Sequence, residues 1–194
     1  MGTLTKLNKR IKARNRAFAK LSPEQKRVTI AKDVLEQLDA GRLTPTQGTY
    51  LSPRTKVCAR SGSQQLAELL PRIEKCNVCG LGALFACAVG RADKITLSEV
   101  GDFFAANEYR DIRGGDDIRK VDFNVKDYLL GFFNSNQLRA IEHTFEQWTD
   151  GVGVLMRGVP VRRRMVLIME NIIRNGGTFE VGDETMMAAV TGAL

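Results

Sequence analysis

Histidine is nearly absent from this chain: His143 is the only one among 194 residues. A Cys–His catalytic pair therefore has one candidate base, and a zinc centre must draw its other ligands from four cysteines. Four cysteines in a chain of this length are too few for a disulfide scaffold. They fit a reducing compartment that keeps them as thiols or metal ligands. No apolar run approaches the ~20 residues that a membrane span needs. The stretch MGTLTKLNKR lacks an apolar h-region of the secretory kind. Position 6, where a myristoylation signal wants Ser or Thr, is Lys6. Internal repeats and Gly/Ser linkers are also missing. The expectation is one cytoplasmic domain with an appended arm.

Hydrophobic residues make up 43% of the sequence, enough for a real core. The net charge of +7 is unevenly spread. Residues 1–27 hold nine Lys or Arg against one acidic residue, and residues 28–194 hold twenty basic against twenty-one acidic. A basic N-terminal arm, residues 1–21, thus precedes a nearly neutral body, residues 22–194. Basic arms either attract an anionic partner or act as solvated tails. The candidate contacts to an anionic partner are Lys6, Lys9, Arg10, Lys12, Arg14, Arg16 and Lys20, with Arg162 and Arg163. The last two fall in the first turn of an expected helix, where positive charge is electrostatically disfavoured unless an anion is near.

Hydrophobic periodicity predicts a mainly α fold with minor β elements. In the arm, Leu4, Leu7, Ile11 and Phe18 form a stripe too thin for a buried helix, so the arm is expected to order on contact. Ser22, Pro23 and Gln25 make a capping box ahead of a helix over 23–40, which Gly41 stops. Further helices are expected over 64–70, over 79–89, within the stretch TLSEVGDFFAANEY, over 136–148 with Ser135 as cap, and over 161–175. The tail is weakly helical. Short strands are expected at 49–51 and in TFEV, residues 178–181. The segment RGGDDIRK, with Asp116 and Asp117 adjacent, reads as a solvated loop.

The stretch KCNVCGLGALFACAVG concentrates three cysteines and three glycines. Cys76 and Cys79 have the spacing of half a zinc site. Cys87 is excluded from that site if 79–87 is one helix, because eight residues rise about 12 Å. The set left for zinc is Cys58, Cys76, Cys79 and His143, a lone CxxC without a second pair. Alternatively, Cys79 opens a helix whose dipole favours thiolate, with His143 as base. Against that reading, Glu142 and Glu146 beside His143 suggest a solvated face. The third alternative is packing: Cys behaves as a small hydrophobe, and Gly80, Gly82, Ala83, Ala86, Cys87 and Ala88 let neighbouring helices approach a central one. The first glycines also leave N–H groups that can receive an anion. Packing is the adopted reading, with no catalytic residues, metal or cofactor assigned.

The segment Cys79-Gly80-Leu81-Gly82-Ala83-Leu84 resembles the Cys-Ala-Leu-Gly-Ala motif of small uncharacterised bacterial and bacteriophage proteins. Thr46-Gln47-Gly48-Thr49-Tyr50 is similar to an element upstream of that motif. LRAIEHTFE and LIMENIIRNGGTF resemble later blocks. Gly80 departs from the pattern, where Ala is usual. The resemblance implies a helical fold and a phage setting inside a bacterial host cell, with no assigned activity. Three roles follow as expectations. The first is an accessory factor that binds and inhibits a host protein or protein–nucleic-acid complex, such as a CRISPR effector or other defence component. The second is a nucleic-acid-binding module using the arm, without a helix-turn-helix or finger pattern. The third is a small Cys-dependent or zinc enzyme.

Overall fold

The computed structural model describes residues 12–53, 75–92, 125–147 and 156–191. Among these the chain is mainly helical: α1 (12–19), α2 (Pro23–Asp39), α3 (Gly80–Ala92), α4 (125–129), α5 (Ser135–Glu146), α6 (Val161–Arg174) and α7 (Glu184–Thr191). Three short strands, β1 (Leu43–Pro45), β2 (Leu51–Pro53) and β3 (Cys76–Val78), form one sheet in the order β1-β3-β2. The expected helix over 64–70, the TLSEV helix and the RGGDDIRK loop lie outside the described residues.

Local chemistry sets the element ends. At α2 the capping box forms as the sequence indicates: Gln25 N–H donates to the Ser22 hydroxyl, and Ser22 N–H donates to the Gln25 side chain. At α5 the cap is Asn134, whose side chain accepts from Gln137 N–H at 2.9 Å. Ser135, the expected cap, is instead the first helical residue. β3 pairs parallel to β1 (Leu43 opposite Cys76) and antiparallel to β2 (Leu51 opposite Val78). Pro45 and Pro53 both sit on edge strands, where a missing N–H costs no ladder bond. Thr178–Val181, expected as a strand, is irregular chain. Asn171 holds it in place, accepting from Glu180 N–H and donating to Glu180 C=O, both at 2.8 Å.

The core is organised around α3. Every residue from Gly80 to Val89 is buried, which answers the all-round apolar character of that stretch. α3 packs against α2 and α5, and both of these pack against α6, so the four long helices close a ring. Ile30, Val34 and Leu38 of α2, Ile141 and Phe145 of α5, and Ile168 and Ile172 of α6 fill it. Arg27 staples the ring's edge, donating to Gly177 C=O at 2.6 Å and Phe132 C=O at 2.9 Å.

α1 belongs to this core. Phe18 is 3% exposed, with its ring 6.2 Å from that of Phe132. Tyr128 continues the aromatic row from Phe132 to Phe85 at 5.7 and 5.3 Å. Arg14 Nη2 donates to Gly90 C=O at 2.6 Å, at the end of α3. Phe18 and Arg14 thus dock residues 12–21 on the body, where the sequence suggests ordering only on contact, because one aromatic residue and one guanidinium do the work of a broad apolar face.

Candidate functional site

Two regions contain the residues singled out in the sequence: the start of α3 and the surface of α1. At the start of α3, the chain passes from β3 through Cys79 into the helix. Cys79 N–H donates to Thr49 C=O, and Gly82 N–H donates to Cys79 Sγ at 3.4 Å, so the sulfur acts as a helix cap. A Cβ on Gly82 would lie 1.4 Å from the Tyr50 carbonyl oxygen, and one on Gly80 would lie 3.2 Å from Phe145 Cβ. Both glycines are spent on close approach, and the Thr46–Tyr50 turn covers the helix end that was a candidate anion site.

Burial decides the chemistry of the thiols. It pushes Cys79 up to about 12, and the Gly82 N–H only partly offsets this. Cys76 is likewise pushed up to about 12 by burial, and Cys87 is raised by burial and then by Asp33. At neutral pH all three are thiols. The helix dipole, which the sequence suggests would favour thiolate at Cys79, loses to desolvation. Of the zinc candidates, Cys76 lies in β3, Cys79 caps α3, His143 is half-buried on α5, and Cys58 is outside the described residues. Among the described residues no three His, Cys, Asp or Glu gather to hold a metal ion.

The same turn locks onto α5 through two carboxylates that sequence analysis assigns to a solvated face. Glu142 is 8% exposed. It accepts from the Tyr50 hydroxyl at 2.8 Å and pairs with Lys126 Nζ at 3.1 Å. Glu146 accepts from Gly48 N–H at 3.0 Å, and its backbone carbonyl accepts from the Gln47 side chain at 3.0 Å. Burial raises the Glu146 carboxyl to about 7, with Glu142 adding to the rise and Gly48 and Arg164 opposing it. The spacing of 142 and 146 puts both on one helix face, a signal present in the sequence. What the sequence hides is that residues 46–50 cover that face.

Several arginines of the body are bound to its own carboxylates and carbonyls. Arg162 donates to Leu38 C=O at 3.0 Å and pairs with Asp39 at 3.1 Å. Arg164, 2% exposed, donates to Phe145 C=O, with its guanidinium 5.5 Å from the centre of that ring. Arg91 grips Asp33 bidentately, and Arg174 pairs with Asp183. Arg163 is exposed, and no described residue pairs with it.

α1 is different. Lys6, Lys9 and Arg10 lie outside the described residues. Arg14 is committed to Gly90, at the expense of desolvation and of repulsion from Arg91, both of which lower its pKa. Lys12, Arg16 and Lys20 are exposed, and no described residue pairs with them. Lys12 and Arg16 lie on α1 and Lys20 in the turn that closes it, where Lys20 N–H donates to Ala17 C=O; at 3.6 residues per turn, spacings of four place them within an arc of about 80° on the side opposite Phe18. Among the described residues no helix is long and apolar enough to cross a membrane.

No protein-family model, curated protein or solved structure matches the chain.

Proposed function

We propose that this protein is an interaction factor that holds an anionic macromolecular partner through its N-terminal basic segment. One observation carries the proposal: the arginines at the helix junctions of the body are bound to its own carboxylates and carbonyls, whereas Lys12 and Arg16 of α1 and Lys20 of the turn that follows it face solvent together. A cationic row held on a folded body raises the local concentration of an anionic partner and speeds encounter. The motif resemblance supports the biological setting: a phage-type accessory factor in a bacterial cytoplasm, binding and inhibiting a host protein or protein–nucleic-acid complex of a defence system. Cysteine catalysis finds no support, since its nucleophile is buried and protonated.

The test is affinity capture from bacterial lysate with the wild-type chain and with a Lys12→Ala/Arg16→Ala/Lys20→Ala variant. A partner retained by wild type and lost by the variant at moderate salt is expected, and that partner's activity should fall on adding the wild-type protein. Equal capture by both chains would sink the proposal.

A further inference from the structure

We infer that the exposed face of α1 is a contact surface for the sugar–phosphate backbone of duplex nucleic acid, independent of base sequence. The inference rests on the proposed anionic partner and names its chemistry. Three observations favour phosphates over an acidic protein surface. First, the exposed face is cations flanked by alanines: Lys12, Arg16 and Lys20, with exposed Ala13, Ala17 and Ala19 beside them. Protein interfaces are anchored by buried aromatic or large apolar residues and are depleted in Lys. Here the one aromatic residue of α1, Phe18, is turned inward and 3% exposed. Phosphate contact needs cations and close approach, which small alanines permit.

Second, the same lack of an exposed aromatic removes the stacking platform that single-stranded nucleic acid uses. An anionic membrane surface is also disfavoured, because an interfacial helix must offer an apolar face, and this one is docked against Phe132. Third, the row is fixed before binding. Phe18 and the Arg14–Gly90 bond hold the helix, and Leu21 N–H closes its end on Phe18 C=O at 3.1 Å. Lys12 to Lys20 spans about 12 Å at the helical rise. A duplex carries a charge about every 1.7 Å of axis, so such a row meets phosphates in any register. Beyond these three cations no exposed side chain that reads base edges projects from this face, and the three are the row that meets phosphates, so affinity without sequence preference is expected.

The experiment measures binding by fluorescence anisotropy over a salt series, with four probes. These are two 20-base-pair duplexes of unrelated sequence, a single strand of equal length, and polyglutamate. The full chain is compared with its Lys12→Ala/Arg16→Ala/Lys20→Ala variant, whose melting temperature checks that the fold is intact. Both duplexes should bind equally, and more tightly than the single strand or polyglutamate. The variant's log K against log salt slope should be shallower by about 2.7, since each phosphate contact contributes about 0.9. Between 50 and 200 mM salt, those three contacts correspond to about a 40-fold loss of wild-type affinity. Polyglutamate binding as tightly as duplex, preference for the single strand, or an unchanged slope in the folded variant would each overturn the inference. If duplex binding is absent but lysate capture still depends on the three cations, the partner is an acidic protein. The phosphate inference then falls and the proposed function stands. Loss of both effects removes both.

Discussion

Gly82 is where the fold is least forgiving. The Tyr50 carbonyl occupies the space a side chain would need, and that oxygen belongs to backbone pinned by the Tyr50–Glu142 hydrogen bond. Gly82→Ala should therefore cost about 3 kcal/mol or more, read as a fall in the urea midpoint. Gly90 lies on the same helix with nothing near its missing Cβ. There Ala should stabilise by about 0.5–1 kcal/mol, which separates steric conflict from helix propensity. Glu146 offers a second test at this scale. Its carboxyl is raised in the folded state, so folding takes up a proton, and the stability it contributes is full below about pH 4.5 and lost as pH rises through about 7. Glu146→Gln keeps an acceptor for Gly48 N–H and cannot ionise. The variant should match wild type near pH 4.5 and melt higher at pH 8. A gap of roughly 2–4 °C corresponds to the ~1 kcal/mol left after solvent screening of a half-buried group. A gap that closes as pH rises would mean that ionised Glu146 is stabilising. That small residues in 79–88 mark close packing was legible in the sequence. That the close neighbour is Tyr50 was not, because the contact joins segments thirty residues apart that share no periodic pattern.

The helices show how far local signals reach. Ser22-Pro23-x-Gln25 set the start of α2 because every group involved lies within four residues, and α3, α5 and α6 follow from their apolar spacing. β3 was hidden, since Cys-Asn-Val is too short to alternate and forms only between β1 and β2. α1 was misjudged for a related reason. A lone Phe18 amid cations gives almost no periodic signal, yet it enters a socket made by Phe132 and its neighbours. Chain truncation at residue 20 therefore removes core. Phe18→Ala should cost about 3 kcal/mol in equilibrium unfolding, whereas replacing the exposed Lys12, Arg16 and Lys20 should leave stability within about 0.5 kcal/mol. Equal, negligible effects from both would show that α1 does not dock.

Across the whole molecule, charge is partitioned by location. The body contributes a balance near zero, and Arg27, Arg91, Arg162, Arg164 and Arg174 are bound to its own carboxylates and carbonyls. The surplus lies in residues 1–27, and part of it is on α1, which is fastened to the rest. Composition revealed that surplus, but not that Arg14 is withdrawn from it to hold Gly90, nor that Arg162 serves α2 instead of a ligand. Both assignments depend on which carbonyls lie nearby in space. The described cysteines offer a different consequence. Cys76, Cys79 and Cys87 are shut inside the core and hold their protons. An alkylating reagent outside meets no thiolate at these positions until the strand or helix carrying them opens. Each carbon–sulfur bond formed there is permanent, so the chain keeps a cumulative record of its own excursions from the native state, written at three addresses.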